Sequence, residues 1–145
     1  MTSQKQRILV ASTPDGQHRA QQALSQKYDL QFVSTVREAE SLLRDYGHGA
    51  FDLIICGIHF DDSRIFELLE FVRHTDNFDN LPFLVIQAQH GDMSVMASVK
   101  STAQTLGACG FVELQNLQPA EANKRLKEAV KEAFDKPVKK ARLDS

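Results

Sequence analysis

The feature that most constrains the fold of this chain is a nearly continuous apolar run at residues 51–58 (FDLIICGI). Such a run suits a central strand of a parallel sheet, because helices cover that strand on both faces. Shorter runs of the same kind occur at 7–11 (RILVA) and 82–86 (PFLVI). These three segments predict the interior of a parallel sheet, which requires helices between its strands.

The segments between the apolar runs carry the required helical patterns. Ile65, Leu68, Leu69 and Val72 follow one another at i, i+3, i+4 and i+7, which is the spacing of an amphipathic helix. Other helices are marked at their starts, by Thr13 with Pro14, by the capping box Thr35–Glu38, and by Pro119. Their predicted inner positions are Ala20, Ala23, Leu24 and Tyr28; Val36, Ala39, Leu42, Leu43 and Tyr46; Met96, Val99, Ala103 and Leu106; and Ala122, Leu126, Val130 and Phe134.

Two further strand-like segments, at 30–33 and 110–114, bring the count to five strands alternating with five helices. This alternation favours an α/β three-layer sandwich with a parallel five-stranded sheet. With right-handed crossovers, the expected topology is flavodoxin-like, with strand order 2-1-3-4-5. We expect one domain over residues 1–135 and a flexible basic C-terminal tail at 136–145.

The composition is that of an ordinary globular protein, with 42% apolar and 25% charged residues among 145. No apolar run is long enough to span a bilayer, and the N-terminus lacks the layout of a secretory signal. Cys56 and Cys109 lie among apolar neighbours, which suits reduced thiols. We therefore expect a cytoplasmic location.

Three stretches carry a resemblance to a known family: FDLIICGIHFDDSRIFELLEFVR at 51–73, PFLVIQA at 82–88 and LGACGFVEL at 106–114. With the order of elements, they resemble the receiver (CheY-like) domain of two-component response regulators, from about Ile8 to Phe134. The resemblance implies a phosphorelay module, in which an aspartate accepts a phosphoryl group with the help of Mg²⁺, a lysine and a hydroxyl.

The residues at the corresponding positions depart from that pattern. The acid pair after the first strand falls on Ser12 and Thr13, and the nucleophilic aspartate falls on Gly57. The switch hydroxyl falls on Gln87 and the lysine on Leu114. The chain therefore resembles a degenerate pseudo-receiver, for which we expect no phosphorylation by the family mechanism, no catalytic residue, no metal and no cofactor.

Two neighbouring acids, Asp61 and Asp62, could be considered as substitutes for the missing aspartate. They lie four and five residues past Gly57, several ångströms from the expected pocket floor. His59 with these acids could also be considered as a metal site, but adjacent acids in a loop are more typical of a solvated turn.

The charge is distributed unevenly along the chain. Residues 45–92 carry nine acidic side chains and two arginines (Arg64 and Arg73), whereas residues 124–145 carry eight basic and four acidic side chains. Opposed charges favour association with a complementary partner or with a second copy. The family resemblance locates a candidate partner face at the fourth helix, fifth strand and fifth helix: Met96, Lys100, Phe111, Lys124, Lys127 and Lys131.

Two functions remain at this point, whereas a third, nucleic-acid binding through the basic tail, is disfavoured because that segment lacks interleaved aromatic residues. The first is a phosphorylation-independent signalling module that binds a protein, whether a kinase, another regulator, an effector or a second copy, with no membrane and no nucleic acid as partner. The alternative is a small-ligand sensor or enzyme that uses the degenerate pocket of Ser12, Thr13, His59 and Gln87.

Overall fold

The computed structural model describes residues 5–46, 50–75, 78, 80–87, 93–114 and 117–135, without the side chains of 93–96. Five strands and five helices alternate along the chain. They are β1 (Arg7–Ala11), α1 (Pro14–Leu24), β2 (Asp29–Val33), α2 (Val36–Tyr46), β3 (Leu53–Gly57), α3 (Ile65–His74), β4 (Phe83–Gln87), α4 (Met93–Thr105), β5 (Gly110–Glu113) and α5 (Pro119–Asp135).

All five strands form one parallel sheet in the order β2-β1-β3-β4-β5, as the sequence predicted. Every residue of β3 and β4 is buried, because helices cover both faces of these central strands. One layer of the core packs the sheet against α2, α3 and α4, and the other packs it against α1 and α5. Within the described residues, no helix is long and apolar enough to cross a membrane.

Five predicted inner positions are less buried than expected, and three of them (Leu42, Val99 and Leu106) are partly buried at the margin of the core. Tyr46 is 62% exposed, because it is the last residue of α2 and borders an open groove beside the edge strand β2. Phe134 is only partly buried, and Ala133 takes the inward position on the last turn of α5. The tail at 136–145 and the Met96 side chain lie outside the described residues.

Arg73 is one of the two arginines in the acidic segment 45–92. It is buried, so its positive charge does not lie on the surface of that segment. Its Nη2 and Nε donate to the Gly107 carbonyl at 2.8 and 3.2 Å, and its Nη1 donates to the Leu81 carbonyl at 2.6 Å. Gly107 has a φ of 102°, in the left-handed region that favours glycine. Its N–H and that of Ala108 donate back to Gln104 and Ala103, so α4 ends in a Schellman motif that Arg73 holds against α3.

Candidate functional site

The candidate site lies at the carboxyl ends of β1, β3 and β4, where open parallel sheets bind their ligands. Gly57 ends β3 beside Ile86 of β4, and the next N–H along, that of Ile58, donates to the Ile86 carbonyl at 3.0 Å. Ser12 directly follows β1 and is buried. The structure thus brings Ser12 and Gly57 together, as the resemblance implied.

The Ser12 side chain fills the space beside Gly57. A Cβ atom added to Gly57 would lie 2.6 Å from Ser12 Oγ, and one added to Gly16 on α1 would meet the same oxygen even more closely. Real Cβ atoms do not approach other atoms so closely, so Gly16, Gly57 and Ser12 form one tight contact between α1, β1 and β3. In this arrangement any side chain at position 57 requires Ser12 to move.

The other two positions of the candidate pocket, Gln87 and Leu114, carry no charge. Leu114 is buried in the layer under α1 and α5, and its N–H donates to the Gln87 carbonyl at 2.8 Å. The Gln87 side chain is fully buried, and neither its Nε2 nor its Oε1 has a hydrogen-bond partner among the described residues. A neutral amide therefore lies at the end of β4, and an aliphatic side chain directly follows β5.

Thr13 is the N-cap residue of α1, with Pro14 in the first turn, as predicted, but its side chain makes no capping hydrogen bond. The hydrogen bonds in this loop come from Gln17, which no sequence motif singled out. Its Nε2 donates to the Ser12 carbonyl at 2.8 Å and to the Val33 carbonyl at 3.2 Å. Gln17 thereby joins the ends of β1 and β2.

Asp61 has a structural partner at the start of α2. Its Oδ2 accepts a hydrogen bond from the Val36 N–H at 2.9 Å. The Thr35 hydroxyl accepts from the Glu38 N–H at 3.1 Å, and Glu38 Oε1 accepts from the Ser34 N–H at 2.8 Å. The predicted capping box is therefore present, with the glutamate bound one residue earlier than usual, and Asp61 completes it.

The loop that carries Asp61 has an unusual backbone. Asp61, Asp62 and Ser63 have φ values of 48°, 57° and 66°, a left-handed run that is rare for residues other than glycine. Asp62 is exposed, whereas His59 is half-buried and its Nε2 has no hydrogen-bond partner in the part of the chain that the structure describes. Three or more His, Cys, Asp or Glu side chains with the geometry of a metal site do not occur together within the described ranges.

Cys56 lies one residue before Gly57 and is fully buried. Burial raises the pKa of this thiol well above its usual value, because a thiolate would lose its hydration in the core. The thiol therefore remains protonated at neutral pH, and its Sγ lies 3.7 Å from the Gly57 carbonyl oxygen. A protonated, inaccessible sulfur is a poor nucleophile.

Residues of the candidate partner face border two grooves, which share Glu128 as a lining residue. Lys100 and Phe111 lie together at the β5 edge, with the Lys100 Nζ 5.9 Å from the centre of the Phe111 ring. Lys127 and Lys131 instead line a groove on the α1 side of α5. The residues of α5 that border the β5 edge include Arg125 and Glu132.

Lys124 is exposed, and Met96 has no described side chain. Helical i, i+4 spacing in α5 would allow two ion pairs, between Glu121 and Arg125 and between Glu132 and Lys136. The first is not formed, and the second involves a residue outside the described ranges. The basic side chains of α5 are therefore not neutralised by salt bridges within the described part of that helix.

No protein-family model and no curated protein matches this chain. Solved structures similar to it include a putative response regulator from Chloroflexus aurantiacus, with a TM-score of 0.72 and 20% identity over 92% of this chain and 100% of the other. The phosphorylated cyanobacterial phytochrome response regulator RcpA gives 0.69 and 13%, over 92% and 98%. The non-phosphorylated HemR receiver domain from Leptospira biflexa gives 0.61 and 27%, over 87% and 94%. The structural neighbours of this chain are thus receiver domains, and its fold is the CheY-like, flavodoxin-like fold.

Proposed function

We propose that this chain is a receiver-like module of a two-component-type signalling pathway that binds a protein partner without phosphoryl transfer. The observation that carries this proposal is Gly57, whose position at the end of β3 corresponds to the phosphoacceptor aspartate and whose missing side chain is replaced in space by Ser12 Oγ. Without a carboxylate there, no atom of this pocket can accept the phosphoryl group in the family manner.

The electrostatics of the pocket support the same conclusion. Phosphoryl transfer requires acidic oxygens to hold Mg²⁺ and a cation to neutralise the phosphoryl oxygens. Ser12 and Thr13 replace the acids with neutral hydroxyl groups, and Leu114 replaces the cation with an aliphatic side chain. The nucleophile, the metal-binding acids and the cation are all needed in the same phosphoryl-transfer step, so the absence of all three is harder to compensate than the absence of one.

Asp61 is a poor substitute for the missing nucleophile. Its carboxylate already caps α2 through the Val36 N–H, and accepting a phosphoryl group there would remove that capping interaction. Asp62 is exposed to solvent. Neither acid has a neighbouring carboxylate at the end of β1 with which to share a metal ion.

The module then acts as a binding domain, not an enzyme, in the cytoplasm, and its partner is a kinase, another regulator, an effector or a second copy. We assign the domain to residues 1–135. A ligand sensor at the degenerate pocket is the second candidate, favoured by the unpartnered buried atoms Gln87 Nε2 and Oε1 and His59 Nε2. A metabolite that satisfied these atoms would raise the unfolding temperature of the protein in a thermal-shift screen.

The primary test is intact-mass analysis after incubation with acetyl phosphate and Mg²⁺. A receiver domain that retains its aspartate serves as the positive control and should gain about 80 Da, the mass of one phosphoryl group. The present chain should gain nothing. An adduct that disappears in a D61N/D62N variant would overturn the proposal and identify the acceptor.

A further inference from the structure

A groove of about 260 Å³ lies between the end of α1 and the outer side of α5. We call it the lysine groove and define it by Ala23, Lys27, Tyr28, Lys127, Glu128 and Lys131. It is distinct from the rim formed by Ser12, Gly57 and Gln87. It also differs from the β5 edge, where Lys100 and Phe111 lie.

The lysine groove has an apolar floor. Ala23 and Tyr28 are each 6% exposed, and the Tyr28 ring packs against Phe134 with the ring centres 5.7 Å apart. Burial raises the pKa of the Tyr28 hydroxyl, so this group stays a neutral hydrogen-bond donor at neutral pH. The floor therefore offers an apolar surface with one polar group.

The rim of the lysine groove is basic. The Lys27 Nζ lies 5.7 Å from the centre of the Tyr28 ring, and Lys127 and Lys131 are exposed one helical turn apart on α5. The charge of Lys131 acts on the Tyr28 hydroxyl and opposes the effect of its burial. The ammonium group of Lys131 is thus close to the floor of the groove.

These three ammonium groups are not neutralised by ion pairs. In the part of the chain that the structure describes, the salt bridges are Arg44–Glu40 and Arg64–Glu67, both on the opposite layer of the molecule. Two acids stand against the three lysines: Glu128 among the lining residues, and Asp135, whose charge also acts on the Tyr28 hydroxyl. Three like charges around an apolar floor favour a ligand with carboxylates on either side of an apolar group.

We propose that the lysine groove binds an acidic amphipathic segment of the partner protein. An apolar side chain of that segment covers Ala23 and Tyr28, while its carboxylates pair with Lys27, Lys127 and Lys131. Single-stranded nucleic acid fits less well, because its bases need an exposed aromatic face and Tyr28 is buried. This inference rests on the proposed function and names the chemistry of the partner and the surface that it contacts.

The test uses the full chain labelled with ¹⁵N and a short synthetic peptide with glutamate and leucine at helical spacing. Titration should shift the amide resonances of Lys27, Tyr28, Lys127 and Lys131. A peptide with lysine in place of every glutamate should cause no shift. Charge reversal in K127E/K131E should weaken binding of the acidic peptide by at least about ten-fold, because attraction becomes repulsion.

Lys100→Glu is the matched control, since Lys100 is equally exposed but lies at the β5 edge. This variant should bind the acidic peptide like the original chain. Should K127E/K131E lose folded structure, K127Q/K131Q provides the same comparison without introducing negative charge, and it should still weaken binding several-fold.

Three outcomes would overturn the inference: no binding at millimolar peptide, equal losses in K100E and K127E/K131E, or tighter binding of a DNA oligonucleotide than of the acidic peptide. None of these outcomes changes the mass expected after acetyl phosphate treatment, because that experiment needs no partner. Failure of the lysine groove is therefore distinguishable from failure of the proposed function.

Discussion

At the scale of single residues, the proposal that this chain does not transfer phosphoryl groups depends on Ser12 and Gly57, through space as well as charge. Gly57 leaves room beside β3, and the Ser12 hydroxyl occupies it. An aspartate introduced at position 57 alone would therefore require the Ser12 side chain to move before the carboxylate could fit. The two positions are coupled and should respond to mutation as a pair.

Gly57→Ala should be less favourable for stability by about 1 kcal/mol when Ser12 is present than when it is absent, because the new Cβ forces Ser12 Oγ out of its rotamer. A Ser12→Ala background supplies the comparison, because it lacks that oxygen. Chemical denaturation of the two single variants and the double variant measures this coupling. Equal costs of Gly57→Ala in both backgrounds would contradict the packing described for this site.

Gln87 offers a second test at this scale, because its buried amide has no partner within the described residues. An unsatisfied buried polar group costs about 1–3 kcal/mol, so Gln87→Met should raise the free energy of unfolding by about 1 kcal/mol or more. Gln104→Met, at an exposed position of α4, is the control and should change it by less than about 0.5 kcal/mol. A destabilised Gln87→Met variant would indicate that the amide does have a partner.

At the scale of elements, the sequence predicted what depends on local spacing. The stripe of Ile65, Leu68, Leu69 and Val72 identified α3, and all four side chains are buried. The contacts that sequence reasoning missed join distant residues. Asp61 caps α2 across 25 positions, and Arg73 reaches Gly107 across 34. Hydrophobic periodicity carries no information about such pairs, since each depends on how the elements pack in three dimensions.

The candidate partner face stays a prediction, and the sequence placed it only coarsely for a related reason. Periodicity showed that Lys127 and Lys131 lie on an outer side of α5, but it could not show which neighbour flanks that side. The packing of Ala122, Leu126 and Val130 on the sheet turns these lysines toward α1. Their separation from Lys100 is thus a consequence of the orientation of α5.

Arg73 provides the test at the element scale, because it links α3 to the turn after α4 and to the segment before β4. Arg73→Met should lower the free energy of unfolding by about 2–3 kcal/mol, since the Gly107 and Leu81 carbonyls lose charged donors. Arg64→Met is the matched control. Arg64 is exposed, and its ion pair among the described residues is with Glu67 at 3.8 Å, so its loss should cost less than about 1 kcal/mol. Similar effects in the two variants would contradict the structural role of Arg73.

At the scale of the whole molecule, the core is divided into two apolar layers by a sheet whose central strands are fully buried. Cys56 sits in the middle strand, so its protonation is coupled to unfolding of the entire domain. We therefore expect the pH dependence of stability at mildly alkaline pH to come largely from Cys56.

The sign follows from the raised pKa of Cys56 in the folded state. The unfolded chain releases the thiol proton above about pH 8.5, whereas the folded chain retains it, so stability is full below that pH and falls above it. The slope should approach about 1.4 kcal/mol per pH unit. Denaturation between about pH 7 and 9.5 avoids most of the later ionisation of tyrosine. Cys56→Ala should remove this slope and Cys109→Ala should keep it; a slope that persists in Cys56→Ala would contradict the assignment.

The central claim, that this receiver-like fold has lost its phosphoryl chemistry, is tested most directly by nuclear magnetic resonance of the ¹⁵N-labelled chain during titration with Mg²⁺ and then beryllofluoride, an analogue of the phosphoryl group. Because no carboxylate stands at Ser12, Thr13 or Gly57 and no cation at Leu114, we expect the amide resonances of these residues to stay unchanged at millimolar concentrations. A saturable shift centred on Gly57 or on Asp61 would show that the site still binds the metal and the analogue, and would contradict the account.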